Sequence, residues 1–302
     1  MSERIAIIGA GLMGHGLALV FAQGGHEVWV TDPQTEQLAT LQARIAETLD
    51  SLGAPTECVA RVHSAPSLED AVSKADVVVE AAPEKLKLKQ SLFERIEAAA
   101  SENCILASNT SVIPIAQVMA RVRKKTRALG THWWNPPYLV PLVEVIQTAD
   151  TDSAVVTRMM ALLTKLGKVP VHVKKDVPGF VGNRLQHALW REAISLVENG
   201  VCDAETIDLV VKNSFGRRLA VLGPIENADL VGTDLTLDIH RQVLADLEDS
   251  HEPSPYLEKL VADGKLGFKT NQGFRDWTED EKLNVRQRVN AHLVMLNKMG
   301  RT

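Results

Sequence analysis

The sequence predicts an α/β domain at the N-terminus followed by an all-α domain, on three observations. Short apolar runs alternate with amphipathic stretches through the first half of the chain, the pattern of parallel strands covered by crossover helices. A glycine cluster, Gly9-Ala10-Gly11-Leu12-Met13-Gly14, follows directly on the first such run. Beyond Pro178-Gly179 the strand-like runs stop and helical spacing takes over.

Strands are expected at Arg4–Ile8, Glu27–Thr31, Asp76–Glu80, Cys104–Ala107, Ala128–Trp133, Leu142–Gln147 and Pro170–Val173, with helices between most of them. In Lys85–Ala99, Leu86, Leu88, Leu92, Ile96 and Ala99 fall near one face, while Lys87, Lys89, Glu94 and Glu97 fall largely elsewhere. That is the spacing of a surface crossover helix. Proline restricts the residue before it and glycine frees the one after, so Pro178-Gly179 marks the boundary between domains 1–177 and 178–302. Asn183–Glu198 and Ala204–Asn213 have helical spacing, and Asp246–Pro255, rich in acids, Ser and Pro, is expected as a loop.

A length of 302 residues with 45% apolar and 24% charged residues suffices for one large or two ordinary globular domains. The formal net charge of −5 does not favour nucleic acid or an anionic membrane as a partner, since both call for a basic surface. No apolar run approaches the ~20 residues that span a bilayer. The N-terminus leads from Met-Ser-Glu-Arg straight into the first strand, without the make-up of a signal peptide. Cys58, Cys104 and Cys202 lie far apart without CxxC spacing, which suits neither a disulfide framework nor a zinc site. A cytoplasmic protein without a metal is expected.

The glycine cluster has GxGxxG spacing, between an apolar strand and a helix running through Leu17, Ala18, Val20 and Phe21. Gly9 permits the tight turn, Gly11 lets a pyrophosphate approach the backbone, and Gly14 lets helix and strand pack closely. The helix N-terminus presents free N–H groups to the phosphates. The domain is therefore of Rossmann type, with a dinucleotide as its cofactor. The second strand leads into Asp32, eighteen residues beyond Gly14, where an acid accepts bonds from the ribose hydroxyls. Pro33, Gln34 and Thr35 follow and no arginine is near to meet a 2′-phosphate, so the sequence selects NAD over NADP. The alternative use of Asp32 is to begin a turn or cap the next helix.

Three polar features fall at strand ends where α/β sheets bind ligands: Ser108-Asn109-Thr110-Ser111, His132-Trp133-Trp134-Asn135, and Glu144 inside Leu142–Ile146. A carboxylate in so apolar a strand needs a partner. His132 and Glu144 stand twelve residues apart around a Pro-Pro turn, so an antiparallel return would set them face to face. Such a pair suits alcohol oxidation, with imidazole accepting the hydroxyl proton and carboxylate fixing its tautomer. The plainer alternative is a core histidine satisfied for packing alone. Ser111 is suited to donate to a substrate oxygen, and Asn109 or Asn135 to position the nicotinamide; all three are also ordinary turn residues. Asn183, early in the first helix of the second domain, is either a cleft residue or a cap.

Together these motifs resemble the 3-hydroxyacyl-CoA dehydrogenase family. The match rests on Gly9–Gly14, Val79–Glu84 with Lys89, Ser108–Ser111, His132–Pro136, Leu142–Val145, Pro178–Arg184 and Gly267–Phe274, in the family's order over nearly the whole chain. The resemblance implies His132 as general acid/base, Glu144 as its partner, and Ser111 and Asn183 as ligands of the substrate oxygen. It implies that Asp32, Glu84, Lys89 and Asn135 line the NAD site, and that the helical domain forms a homodimer. The substrate it implies is a 3-hydroxyacyl-CoA or a small hydroxy acid.

Asn135-Pro136-Pro137 and Val140-Pro141-Leu142 are worded more like the branches acting on free acids: lambda-crystallin with L-gulonate activity, carnitine dehydrogenase and a pyridine-carboxylate dehydrogenase. Gln34–Ala54 carries Arg44 and no lysine, which leaves no obvious clamp for a CoA phosphate. The β-hydroxyacid dehydrogenase family shares the Gly-Leu-Met-Gly wording but depends on a lysine in the interdomain helix, and Asn183–Arg191 has none. A crystallin-like protein that binds NAD(H) without catalysis is the rival from another class.

Overall fold

The computed structural model describes residues 2–299. Eight strands, β1 (Arg4–Ile8), β2 (Glu27–Thr31), β3 (Val62–Ser64), β4 (Val77–Glu80), β5 (Ile105–Ser108), β6 (Ala128–Trp133), β7 (Leu142–Ile146) and β8 (Val169–Val173), form one sheet in the order 3-2-1-4-5-6-7-8. Neighbours run parallel except β6 and β7, which are antiparallel. Every expected strand forms within one residue of its expected ends. The unexpected one is β3, three residues at the sheet edge and too short to show a period of two.

Helices α1 (Leu12–Gln23), α2 (Thr35–Ala39), α3 (Leu41–Ser51), α4 (Leu68–Val72), α5 (Leu86–Ala99), α6 (Ile115–Val118) and α7 (Ser153–Lys165) connect the strands. Valine and isoleucine fill the central strands because a parallel sheet is covered on both faces. One core layer joins Ile5, Ile7, Leu17, Phe21, Val28, Val30 and Leu163, and the other joins Ala6, Ile8, Val78, Phe93, Ile96 and Leu106. Burying this area is the main stabilising term, at roughly 25 cal/mol per Å².

The remaining helices are α8 (Gly182–Glu198), α9 (Ala204–Asn213), α10 (Pro224–Val231), α11 (Thr233–Val243), α12 (Pro255–Ala262) and α13 (Glu279–Met299). Asp246–Pro255 is irregular until α12 begins. The chain divides into two compact units. One runs from the N-terminus to Arg184 and takes in the chain again from His292; the other is Leu185–Ala291. The start of α8 stays with the sheet because the amides of Val181 and Gly182 donate to Glu144 of β7. Within the second unit, α9, α10 and α11 have no buried residue. No helix among the described residues is long and apolar enough to cross a membrane.

Candidate active site

The glycine loop closes the end of β1. Gly9 has φ +111° and donates its N–H to the Thr31 carbonyl at 2.8 Å. That backbone region is open to glycine and strained for other residues. A β-carbon on Gly14 would lie 1.8 Å from the Gly9 carbonyl oxygen, so only glycine lets α1 begin here. A β-carbon on Gly11 would meet nothing within 4 Å, and no side chain caps α1. Leu12 is exposed and Met13 half-buried at the open N-terminus.

Asp32 follows β2. One carboxylate oxygen accepts from the Ala10 N–H at 2.7 Å and the other from Gln34 at 2.8 Å. Its position is fixed from both sides, with lone pairs left for a ribose. The expectation that no arginine is near needs correcting. α3 brings Arg44 back, and its Nη2 donates to the carbonyls of Ala10 and Gln37, each at 2.8 Å. The arginine is twelve residues from Asp32 in sequence, and only the turn of α2 into α3 reveals the approach.

A second cradle lies at the ends of β4 and β5. Glu80 and Lys89 are buried and paired at 2.6 Å, and Glu80 also accepts from Ser108 Oγ and the Ala82 N–H. The remaining Lys89 contacts are the Ala82 carbonyl and Glu84, so its ammonium is taken up by protein groups. Glu84 accepts from Thr110 Oγ1 at 2.5 Å and from the Ser111 and Val112 amides. Burial alone would raise its carboxyl, but the Thr110 hydroxyl, Lys89 and the two amides hold it below the usual carboxylate value. Lys89 thus braces the turn at Ala82–Glu84, and Glu84 in turn fixes the backbone of Ser111.

Across the antiparallel pair β6–β7, His132 stands directly opposite Glu144. His132 Nδ1 and Glu144 Oε2 are 2.7 Å apart, and both side chains are at least 96% buried. Glu144 Oε1 accepts from the Val181 and Gly182 amides at 2.9 and 3.1 Å. Burial pushes the Glu144 carboxyl up, but His132 and these amides together bring it below its ordinary value. An ionised carboxylate can only accept, so Nδ1 carries the shared proton, and in the neutral imidazole this leaves the lone pair on Nε2. Nε2 makes no hydrogen bond among the described residues. Trp134 and Phe180 flank the imidazole, with ring centroids 5.2 and 5.7 Å away.

Asn183 is buried, and its Nδ2 donates to the Ser111 carbonyl at 2.8 Å. These two residues, 72 apart in sequence, are thereby neighbours. Ser111 itself is exposed. Asn109 is buried, and its Oδ1 accepts from the Trp133 N–H at 3.0 Å, joining β5 to β6. Asn135 is exposed and follows β6. Sequence reasoning did not single out Lys168, which donates to the carbonyls of Pro137 and Val140 in the β6–β7 loop. Its only sequence signal is a cation placed directly before an apolar strand. A cavity of about 650 Å³ is lined by second-unit residues, among them Trp190, Ile194, Phe268, Phe274 and Trp277, and by none of the site residues above.

Residues 4–177 match the model of the 3-hydroxyacyl-CoA dehydrogenase NAD binding domain, and residues 179–277 match that of the C-terminal domain. The chain belongs to the 3-hydroxyacyl-CoA dehydrogenase family. It is 38% identical over 286 residues to 5-formyl-3-hydroxy-2-methylpyridine 4-carboxylate 5-dehydrogenase of Mesorhizobium japonicum, covering 93% of each chain. It is also 38% identical over 288 residues to the mitochondrial hydroxyacyl-coenzyme A dehydrogenase of Homo sapiens, covering 90% of each. A crystal structure of 5-formyl-3-hydroxy-2-methylpyridine 4-carboxylic acid 5-dehydrogenase, described as an NAD+-dependent dismutase, superposes with a TM-score of 0.91 at 33% identity, over 99% of this chain and 98% of that one.

As a member of this family the chain is an NAD-dependent dehydrogenase acting on CH–OH groups. The residues present fit the cofactor. The uncapped α1 N-terminus and the open space at Gly11 suit a pyrophosphate, and the fixed carboxylate of Asp32 suits a ribose.

Proposed function

We propose that His132 is the general base of this dehydrogenase and Glu144 the group that orients it. The observation that carries this reading is the 2.7 Å contact from Nδ1 to Glu144, with Nε2 left unbonded among the described residues. Nε2 takes the hydroxyl proton as the alcohol becomes a ketone or aldehyde, and Glu144 stabilises the imidazolium. Bound NAD supplies the hydride acceptor. Ser111 and Asn183, joined through the Ser111 carbonyl, hold the substrate oxygen. Gly9, Gly11, Leu12, Met13, Gly14 and Asp32 bind the pyrophosphate and ribose. Glu84, with Lys89 behind it, Asn109 and Asn135 set the nicotinamide end.

We assign a small carboxylated substrate in preference to an acyl-CoA. The sole cation of Gln34–Ala54, Arg44, is held by two backbone carbonyls. The relative with 93% coverage is named for a pyridine carboxylate. We further propose a cytosolic homodimer formed through residues 178–302. The bare apolar faces of α10 and α11 and the three free cysteines support this.

His132→Gln tests the assigned base. Turnover should fall by ~10²–10⁴ with NADH affinity unchanged; wild-type turnover at saturating substrate would remove His132 from the role. The substrate class is tested by comparing rates with 3-hydroxybutyryl-CoA, L-carnitine, L-gulonate, free 3-hydroxybutyrate and a hydroxymethyl- or formyl-pyridine carboxylate. A preference for the thioester overturns it.

A further inference from the structure

The loop between β6 and β7 runs from Trp134 to Pro141, and protein groups from distant elements capture one carbonyl after another along it. Lys168, just before β8, donates to Pro137 and Val140, and Val169 N–H donates to Pro141 at 2.9 Å. Asn297 near the end of α13 donates to Leu139 at 2.8 Å, across 158 residues of sequence. On its other side the loop docks on α1. A β-carbon on Gly16 would lie 2.6 Å from Pro137 Cγ, so the proline ring already fills that space.

We propose that Lys168 is a positioning residue of the cofactor site: by holding the Pro137 and Val140 carbonyls it presses the loop that carries Asn135 against the cofactor-binding helix α1. This rests on the reading of Asn135 as a residue of the nicotinamide end. Burial makes a lysine here unfavourable, and its ammonium is brought down to about 8 by desolvation. Among the described residues no carboxylate pairs with it; its partners are the two carbonyls and, 5.7 Å away, the Trp133 ring. A half-buried cation without an acid beside it is less favourable there than methionine, which would fill the same space. The geometry of the two carbonyls is what the lysine uniquely supplies, since a loop cannot otherwise satisfy inward-facing acceptors.

The test compares Lys168→Met, Lys168→Arg and Asn135→Ala in the full-length enzyme, with NADH and ADP-ribose as ligands. ADP-ribose lacks the nicotinamide, so general damage weakens both ligands and a displaced Asn135 loop weakens NADH alone. Lys168→Met should raise the NADH Kd and lower kcat by about tenfold each, equivalent to ~1.4 kcal/mol, leaving ADP-ribose binding as in the wild type. Lys168→Arg should recover part of both. Unchanged NADH binding and kcat in Lys168→Met overturns the proposal, as does equal weakening of both ligands. If Asn135→Ala itself leaves NADH binding and kcat untouched, the assignment of Asn135 to the nicotinamide end is what fails. Should Lys168→Met not fold, Asn297→Ala, which frees the Leu139 carbonyl of the same loop, is read with the same ligands against the same outcomes.

Discussion

Gly182 lies so close beneath Trp134 that a β-carbon on it would sit 2.5 Å from the indole Cζ2, while its amide donates to Glu144 Oε1 at 3.1 Å. The glycine thus serves two neighbours of His132 at once. Gly182→Ala must push either the indole off the imidazole face or the start of α8 away from Glu144. Either movement disturbs the proton-transfer pair. We expect kcat to fall by ~10-fold or more, since an angstrom of misplacement costs up to ~10², while NADH affinity holds. Steady-state kinetics with a fluorescence titration of NADH decide it; unaltered kcat would show that the contact carries no catalytic consequence.

The fold was largely legible because it depends on local pattern. Val77-Val78-Val79 and Ile5–Ile8 are apolar runs between turn signals, and GxGxxG fixes how the first strand meets the first helix. The His132–Glu144 pair was legible for a related reason. A Pro-Pro turn between two strands restricts the return, and the register then decides which side chains face. Arg44 and Lys168 were not legible. Each acts on a backbone carbonyl brought near by the tertiary fold, and a carbonyl acceptor leaves no mark on the sequence. The short edge strand β3 and the return of the chain to the first unit after His292 escaped for the same reason, having too little local pattern.

Asp32 and Arg44 grip opposite ends of one residue, the first through the Ala10 N–H and the second through its carbonyl. The carboxylate repels a 2′-phosphate, whereas the guanidinium would attract it. Removing Asp32 should therefore change cofactor choice as well as affinity. Asp32→Ala is expected to weaken NAD by ~10–100-fold, the worth of charge-assisted hydrogen bonds of ~1.5–3 kcal/mol, and to weaken NADP much less. Adding Arg44→Ala should then lower NADP binding in that background. Measured Kd values of both cofactors for the wild type, Asp32→Ala and the double variant check both statements. Equal loss of NAD and NADP in Asp32→Ala would undo the ribose assignment.

Glu84 and Glu144 both have folded-state carboxyls below the ordinary value despite burial, which alone would raise them. The unfolded chain binds these protons more readily, so between the unfolded and folded values it carries more of them than the native state does. Stability therefore rises with pH there. It is fully present above the unfolded value of about 4.3 and is lost as pH falls through the folded values. Glu84→Gln removes one such group. The gap in Tm between wild type and Glu84→Gln should be widest near neutrality and narrow below about pH 4.3. A gap independent of pH, read by calorimetry across this range, would show that the Thr110 and amide contacts do not favour the ionised form.

Val221, Ile225 and Leu230 are 83%, 75% and 71% exposed, and α10 and α11 bury none of their residues although Leu, Ile and Val recur along both. Large apolar side chains left this exposed are the usual mark of a surface that another protein covers. A second copy of the chain is the partner we propose, since an isologous contact buries the same face twice. The protein should sediment at twice 33.0 kDa, with a Tm that rises with concentration. Leu230→Asp should shift it toward monomer, because a carboxylate buried without a partner at an interface core costs several kcal/mol. Sedimentation velocity across a dilution series decides the matter: a monomer at every concentration, with wild-type activity, would mean that these helices stand free.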